Sequence, residues 1–156
     1  MPFYEFTLID SPMSVGRKRA SAVLLENGKV LISGGQNSIG DALNTTEIYD
    51  PESKTFTDGP PMLHARYGHS STVLKDGKVL ICGGDSKKTT EIYDPEIISD
   101  KGLGVFMEGK KTVEERFGHV ASLLDNGDVV LYGGRHNPTP EIYNHETEEF
   151  YTLKEQ

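Results

Sequence analysis

Two short words in the sequence set arginine and histidine at a fixed spacing. They read RYGH at 66–69 and RFGH at 116–119, and a third, RKRA, starts at position 17 and lacks the histidine. Guanidinium and imidazole groups donate hydrogen bonds to polar and anionic ligands, so these words are candidates for a binding site. The candidate binding residues are Arg17, Arg66, His69, Arg116 and His119.

The same words also have a structural interpretation. Polar side chains at equivalent positions of a repeat can hold loops through hydrogen bonds, whereas an asymmetric catalytic site is expected to break the repeat. Repetition therefore favours the structural role. The argument extends to Glu47, Glu91 and Glu141, which also recur and are expected to find arginine or backbone partners.

The residues typical of metal and covalent chemistry form no recognisable pattern. The only cysteine, Cys82, lies in an apolar run, and the five histidines show no spacing typical of zinc ligands. The histidines are His64, His69, His119, His136 and His145. We therefore predict no catalytic residue, no metal site, no cofactor and no enzymatic activity.

Composition narrows the class of protein. The chain has 156 residues and no apolar run near the ~18 residues of a membrane span. The N-terminal residues do not follow the pattern of a signal peptide, and a single cysteine cannot form an internal disulfide, so we expect a cytoplasmic location. The net charge of −8 disfavours nucleic acid and anionic membranes as partners.

The chain is built from three copies of one unit. Each copy ends an apolar run on a glycine pair, and the first glycines, at 34, 83 and 133, are 49 and 50 residues apart. A second word follows each pair: TTEIYDPE at 45–52 and at 89–96, and TPEIYNHE at 139–146. Copies differ by insertions at 36–44 and 96–104, which we predict to be surface loops around a common unit of 44 residues.

Each unit predicts four short antiparallel strands. Asn27-Gly28, Asp76-Gly77 and Asn126-Gly127 are typical of two-residue hairpin turns between the first and second strands. The apolar second strand indicates burial on both faces, and no segment has a helical pattern. Four short strands per 44–50 residues are typical of one β-propeller blade.

Two sets of residues are predicted to be structural. The glycine pairs should end the second strand, with at least one positive φ and room for a neighbouring backbone; they are Gly34, Gly35, Gly83, Gly84, Gly133 and Gly134. The second set is three tyrosine–phenylalanine pairs expected to pack within their repeats: Tyr49 with Phe56, Tyr93 with Phe106, and Tyr143 with Phe150.

These words resemble the kelch repeat, in the form found in bacterial kelch and galactose-oxidase-like propellers. The resemblance runs from about Met13 to Phe150, although phenylalanine stands where the family usually has a fourth-strand tryptophan. It implies one all-β domain, 1–156, with four-stranded blades at about 17–62, 66–110 and 116–153. A copper-radical oxidase site is not expected, because Cys82 lies in a buried-looking strand.

Three blades do not close a ring, because propellers have from four to eight. Residues 3–9 resemble a fourth strand without its blade. We expect two chains to form a six-bladed homodimer; the alternative is that the chain is part of a longer protein.

The resemblance implies a non-catalytic scaffold whose loops bind a protein or glycan partner. The alternatives are a structural component of a larger assembly, and an enzyme with a small polar site on the propeller channel.

Overall fold

A computed structural model describes residues 11–135 and 139–153, which form three four-stranded antiparallel sheets. The predicted strand at 3–9 lies outside these residues. Within them, no helix has the length and apolar character needed to cross a membrane. The predicted all-β architecture is confirmed, and each sheet is called a blade below.

The strands of each blade follow one another in chain order. Blade 1 contains β1 (Ser21–Leu24), β2 (Val30–Ser33), β3 (Thr46–Asp50) and β4 (Thr55–Asp58). Blade 2 contains β5 (Ser70–Val73), β6 (Val79–Cys82), β7 (Thr90–Asp94) and β8 (Val105–Glu108). Blade 3 contains β9 (Val120–Leu123), β10 (Val129–Tyr132), β11 (Glu141–Tyr143) and β12 (Phe150–Thr152).

The hairpin turns between the first and second strands differ from the prediction. The Leu25 N–H donates to the Lys29 carbonyl at 2.8 Å, which leaves the three residues 26–28 in the loop instead of two. Gly28 has φ +81°, and Asn27 is not among the residues with positive φ. A three-residue loop of this kind needs the left-handed conformation only at its last position, where the glycine stands.

Neighbouring blades pack face to face through apolar residues from alternate strand positions. Leu31 and Ile48 of blade 1 contact a set from blade 2, and Leu80 and Cys82 of blade 2 contact the equivalent set from blade 3. The first set is Val79, Ile81, Tyr93 and Phe106; the second is Val129, Leu131, Tyr143 and Phe150. Each blade therefore has a leading face, toward the preceding blade, and a trailing face, toward the next.

The position of a blade in this series determines how deeply its second strand is buried. All four residues of β6 are buried, because blade 2 has a neighbour on both faces. In β2 and β10 burial alternates, as expected when one face lacks a neighbour. Burial on both faces, which the apolar runs predicted for every second strand, is thus complete only in the middle blade.

The predicted tyrosine–phenylalanine packing is present in all three blades. Each pair is directly opposite in the third and fourth strands, with ring centroids 4.8, 4.9 and 5.1 Å apart in blades 1, 2 and 3. Such aromatic contacts add to the free energy gained by burying the rings.

Candidate functional site: the blade junctions and the inner edge

The arginine that precedes each blade forms a buried ion pair with a glutamate on the third strand of that blade. The Arg66 guanidinium donates to Glu91 Oε1 at 2.7 Å and to the Gly83 carbonyl at 2.5 Å, and both charged side chains are fully buried. Glu91 also accepts the backbone N–H of Leu63 at 2.7 Å and of His64 at 3.1 Å. The pair thus fixes the segment between blades onto blade 2.

The other two copies of this arrangement are nearly identical. Arg116 donates to Glu141 at 2.8 Å and to the Gly133 carbonyl at 3.0 Å. Arg17 donates to Glu47 at 2.7 Å and to the Gly34 carbonyl at 2.8 Å. The arginine side chains are at most 1% exposed, so each positive charge is paired with a glutamate inside the fold.

The two histidines lie at the junctions between blades. His69 Nε2 is 2.9 Å from Ser33 Oγ, and His119 Nε2 is 2.8 Å from Ser70 Oγ, so each ring hydrogen-bonds to the preceding blade. Burial, followed by the positive charge of Arg66 and of His119, lowers the pKa of His69 to about 3. Burial and the Arg116 charge lower the pKa of His119 to about 4. Both imidazoles are therefore neutral at pH 7.

The glycine pairs allow neighbouring blades to approach closely. Gly34 and Gly83 have φ of +59° and +70°. A Cβ on Gly34 would lie 2.5 Å from the Arg66 carbonyl oxygen and 2.8 Å from His69 Cε1. At Gly133 the same Cβ would meet nothing within 4 Å, because the described residues place no blade beyond blade 3. The glycine pair therefore serves both the turn and the blade-to-blade contact.

Cys82 belongs to the apolar junction between blades 2 and 3. It is 1% exposed, and burial raises the pKa of its thiol well above the usual range. Within the described ranges 11–135 and 139–153, no group of three His, Cys, Asp or Glu side chains could hold a metal ion. His136 lies outside those ranges.

The first strands of neighbouring blades contact each other and form the inner edge of the series. In the residues that precede these strands, Tyr67 and Phe117 pack with ring centroids 5.5 Å apart and ring planes tilted by 52°. The Arg19 guanidinium lies 5.9 Å from the Tyr67 ring centre. Arg19 and Arg135 line a hollow of about 450 Å³ beside these rings. We call these four residues the inner-edge cluster.

Our sequence interpretation did not include the inner-edge cluster. The signal was present in the third word, RKRA, where Lys18 and Arg19 replace the aromatic residue and glycine of the other two copies. Residues that the three copies share do not reveal the cluster, because Arg19 stands where the other two copies have glycine.

Comparisons with known proteins agree with this architecture. The family model described as the kelch motif matches residues 17–63. Kelch repeat and BTB domain-containing protein 12 of Danio rerio is 36% identical over 83 residues, which are 46% of this chain and 13% of that protein. The chain is therefore similar to kelch repeat proteins, and its first repeat matches the kelch motif. Kelch-like protein 23 of Mus musculus is a further kelch relative, 39% identical over 42% of the chain and 12% of its own length.

Oxidases with the same repeat are also similar to the chain. Galactose oxidase of Gibberella zeae is 32% identical over 74 residues, which are 44% of this chain and 10% of the oxidase. The structure of a fungal alcohol oxidase of the AA5 family, in complex with copper, superposes with a TM-score of 0.67 and 17% identity. It covers 86% of this chain and 30% of the oxidase chain, and at this identity it shows the fold alone. The chain thus spans 10–30% of the length of each of these four proteins.

Proposed function

We propose that this kelch protein is a non-catalytic binding scaffold, formed as a ring from two copies of the chain, whose loops bind a protein or glycan partner. Support for the scaffold role comes from the polar groups described above. The repeated arginines, glutamates and histidines are bonded to the fold itself, and the thiol is buried. What varies between repeats is the loops, at 36–44 and 96–104.

Support for the ring comes first from two apolar faces that have no neighbour among the described residues. On the leading face of blade 1, Val30, Ile32, Tyr49 and Phe56 are half-buried, whereas their equivalents in blade 2 are at most 8% exposed. On the trailing face of blade 3, Val120, Tyr132 and Tyr151 are 51%, 43% and 45% exposed. Contiguous apolar faces that are exposed in this way mark contact surfaces. Since the two are the opposite faces of one repeat, each would fit the other on a second copy.

The observation that carries the proposal is a matched set of changes on these two faces. Both internal junctions use a histidine on the leading side and a serine hydroxyl, from Ser33 or Ser70, on the trailing side. At the open edges, blade 1 has Ala20 in place of the histidine, and blade 3 has Tyr132 and Val120 in place of the two serines.

The changes compensate in both polarity and volume. An imidazole buried against valine would lose its hydrogen-bond partner, at a cost of about 1–3 kcal/mol, and Ala20 removes that group. The ring of Tyr132 is larger than a serine side chain and would occupy the space that Ala20 leaves free. Such compensation is expected if blade 3 of one copy packs on blade 1 of the other.

The test is the mass of the 17.2 kDa chain in solution, measured by light scattering at micromolar concentration. We expect the mass of two chains. Leu24→Glu adds a charge to the open leading face, where Leu24 is 64% exposed, and should lower the mass to that of one chain. Ala20→His should weaken the dimer. Ile39→Glu, at an 82% exposed position in the 36–44 loop, is the matched control and should remain dimeric. A mass of one chain with a cooperatively folded protein would overturn the ring.

A further inference from the structure

Arg19 has a backbone conformation that its two counterparts achieve with glycine. Its φ is +56°, and Gly68 and Gly118 at the equivalent positions each have φ +64°. The three are linked along the inner edge, because the Gly68 N–H donates to the Arg19 carbonyl at 2.9 Å and the Gly118 N–H to the Gly68 carbonyl at 2.7 Å. Every residue at this position must therefore adopt the left-handed conformation, which disfavours arginine.

The arginine side chain gives this strained position a chemical property that glycine lacks. Non-glycine residues in the left-handed conformation persist only where surrounding contacts fix them, and they concentrate at functional sites. The Arg19 guanidinium lies 5.9 Å from the Tyr67 ring centre, and the residue is exposed at the edge of the hollow that Phe117 and Arg135 also line. The arginine is thus positioned by an aromatic surface and directed toward an open space.

The electrostatics of the hollow differ from those of the protein as a whole. The chain carries a net charge of −8, yet the described residues that line this hollow include two arginines and no acid. Neither Arg19 nor Arg135 forms an ion pair with a carboxylate of the described residues, whereas Arg17, Arg66 and Arg116 all do. Two guanidinium groups that have no carboxylate partner among the described residues, beside two packed aromatic rings, can bind an anion and a flat organic group together.

We propose that the inner-edge cluster binds a small organic anion, with its carboxylate or phosphate on Arg19 and Arg135 and its planar part on Tyr67 and Phe117. The hollow, at about 450 Å³, is within the range of ligand pockets in proteins. This goes beyond the binding function proposed above, because the ligand is a small anion and the site is the inner edge instead of the variable loops. The site itself lies within one chain.

The experiment is an NMR titration of the intact chain with benzoate, phenyl phosphate and the neutral analogue benzamide. Saturable shifts of the Tyr67 and Phe117 ring signals with benzoate or phenyl phosphate support the proposal. A response to benzoate alone identifies a carboxylate ligand, and a response to phenyl phosphate alone a phosphate ligand. Equal shifts with benzamide, or no shifts with either anion, would overturn it.

Arg19→Gly is the decisive variant, because it restores the residue of the other two repeats. It should weaken anion binding at least about tenfold, which corresponds to about 1.4 kcal/mol, and leave the melting temperature unchanged or higher. Lys54→Gly is the matched control: Lys54 also has φ +56° but lies in the turn between β3 and β4. It should leave anion binding unchanged.

Failure of the site and failure of the ring are distinguishable. If Arg19→Gly binds benzoate and phenyl phosphate as tightly as the original chain does, the site is wrong, whatever the mass in solution. A one-chain mass together with anion binding that needs Arg19 would overturn the ring and retain the site.

Discussion

Replacing Glu91 with glutamine should severely destabilise the protein, although it changes only one atom of the side chain. The carboxylate accepts three N–H groups: from Arg66 at 2.7 Å, Leu63 at 2.7 Å and His64 at 3.1 Å. An amide in the same place directs N–H atoms at donors and leaves the fully buried Arg66 charge without its counter-charge. Removing one partner of a buried ion pair costs about 3–5 kcal/mol of unfolding free energy.

The measurement is urea unfolding at pH 7, with all variants at one protein concentration. Far-ultraviolet circular dichroism is the probe, because the chain has no tryptophan for fluorescence. Glu108→Gln is the matched control. Glu108 is directly opposite Glu91 on β8, its side chain is 53% exposed, and it pairs with His64 at 3.0 Å. Because exposed pairs contribute about 0–1 kcal/mol, its loss should be small. Equal effects of the two substitutions would refute the structural role assigned to the buried pair.

Two further predictions concern the blade junctions. The pKa values are about 3 for His69 and about 4 for His119, against 6.5 for an unfolded histidine. The unfolded chain therefore binds more protons than the folded chain below pH 6.5. As the pH falls from 6.5 to about 4, the free energy of unfolding should decrease by about 1.4 kcal/mol per pH unit for each histidine. Urea midpoints measured against pH should show a shallower dependence in His69→Asn, and an unchanged slope would contradict the burial of a neutral ring. In the variant Leu24→Glu, which should have the mass of one chain, Gly83→Ala should lower the melting temperature more than Gly133→Ala. The reason is that an added Cβ would lie 2.9 Å from Arg116 Cβ at the first site and meet nothing within 4 Å at the second. Similar losses from the two glycine substitutions in that variant would show that backbone conformation alone matters.

Local chemistry made much of the fold readable from the sequence. The three copies, their strands and the turns between them depend on residues close together in the chain, such as the apolar runs, the glycine pairs and Asn27-Gly28. Even there, the difference between a two-residue and a three-residue hairpin loop was not readable, because both place glycine at positive φ.

The partners of the polar residues were decided by the tertiary structure. Arg66 and Glu91 are 25 residues apart, and only the docking of the connecting segment on β7 brings them together. The histidine contacts depend on the approach of two blades, and so does the ring contact between Tyr67, which precedes blade 2, and Phe117, which precedes blade 3.

The sequence by itself determined the repeat, its four strands and the residues that every copy shares, because these are properties of one unit. The tertiary structure decided what differs between copies: which faces lack a neighbour, and what Arg19 contacts. Position in the series causes these differences, since Val30 and Val79 have the same local sequence but, among the described residues, only Val79 has a blade packed against it. A pattern within one repeat cannot encode its neighbours, and for this reason the open faces and the inner-edge cluster became visible only in the assembled blades.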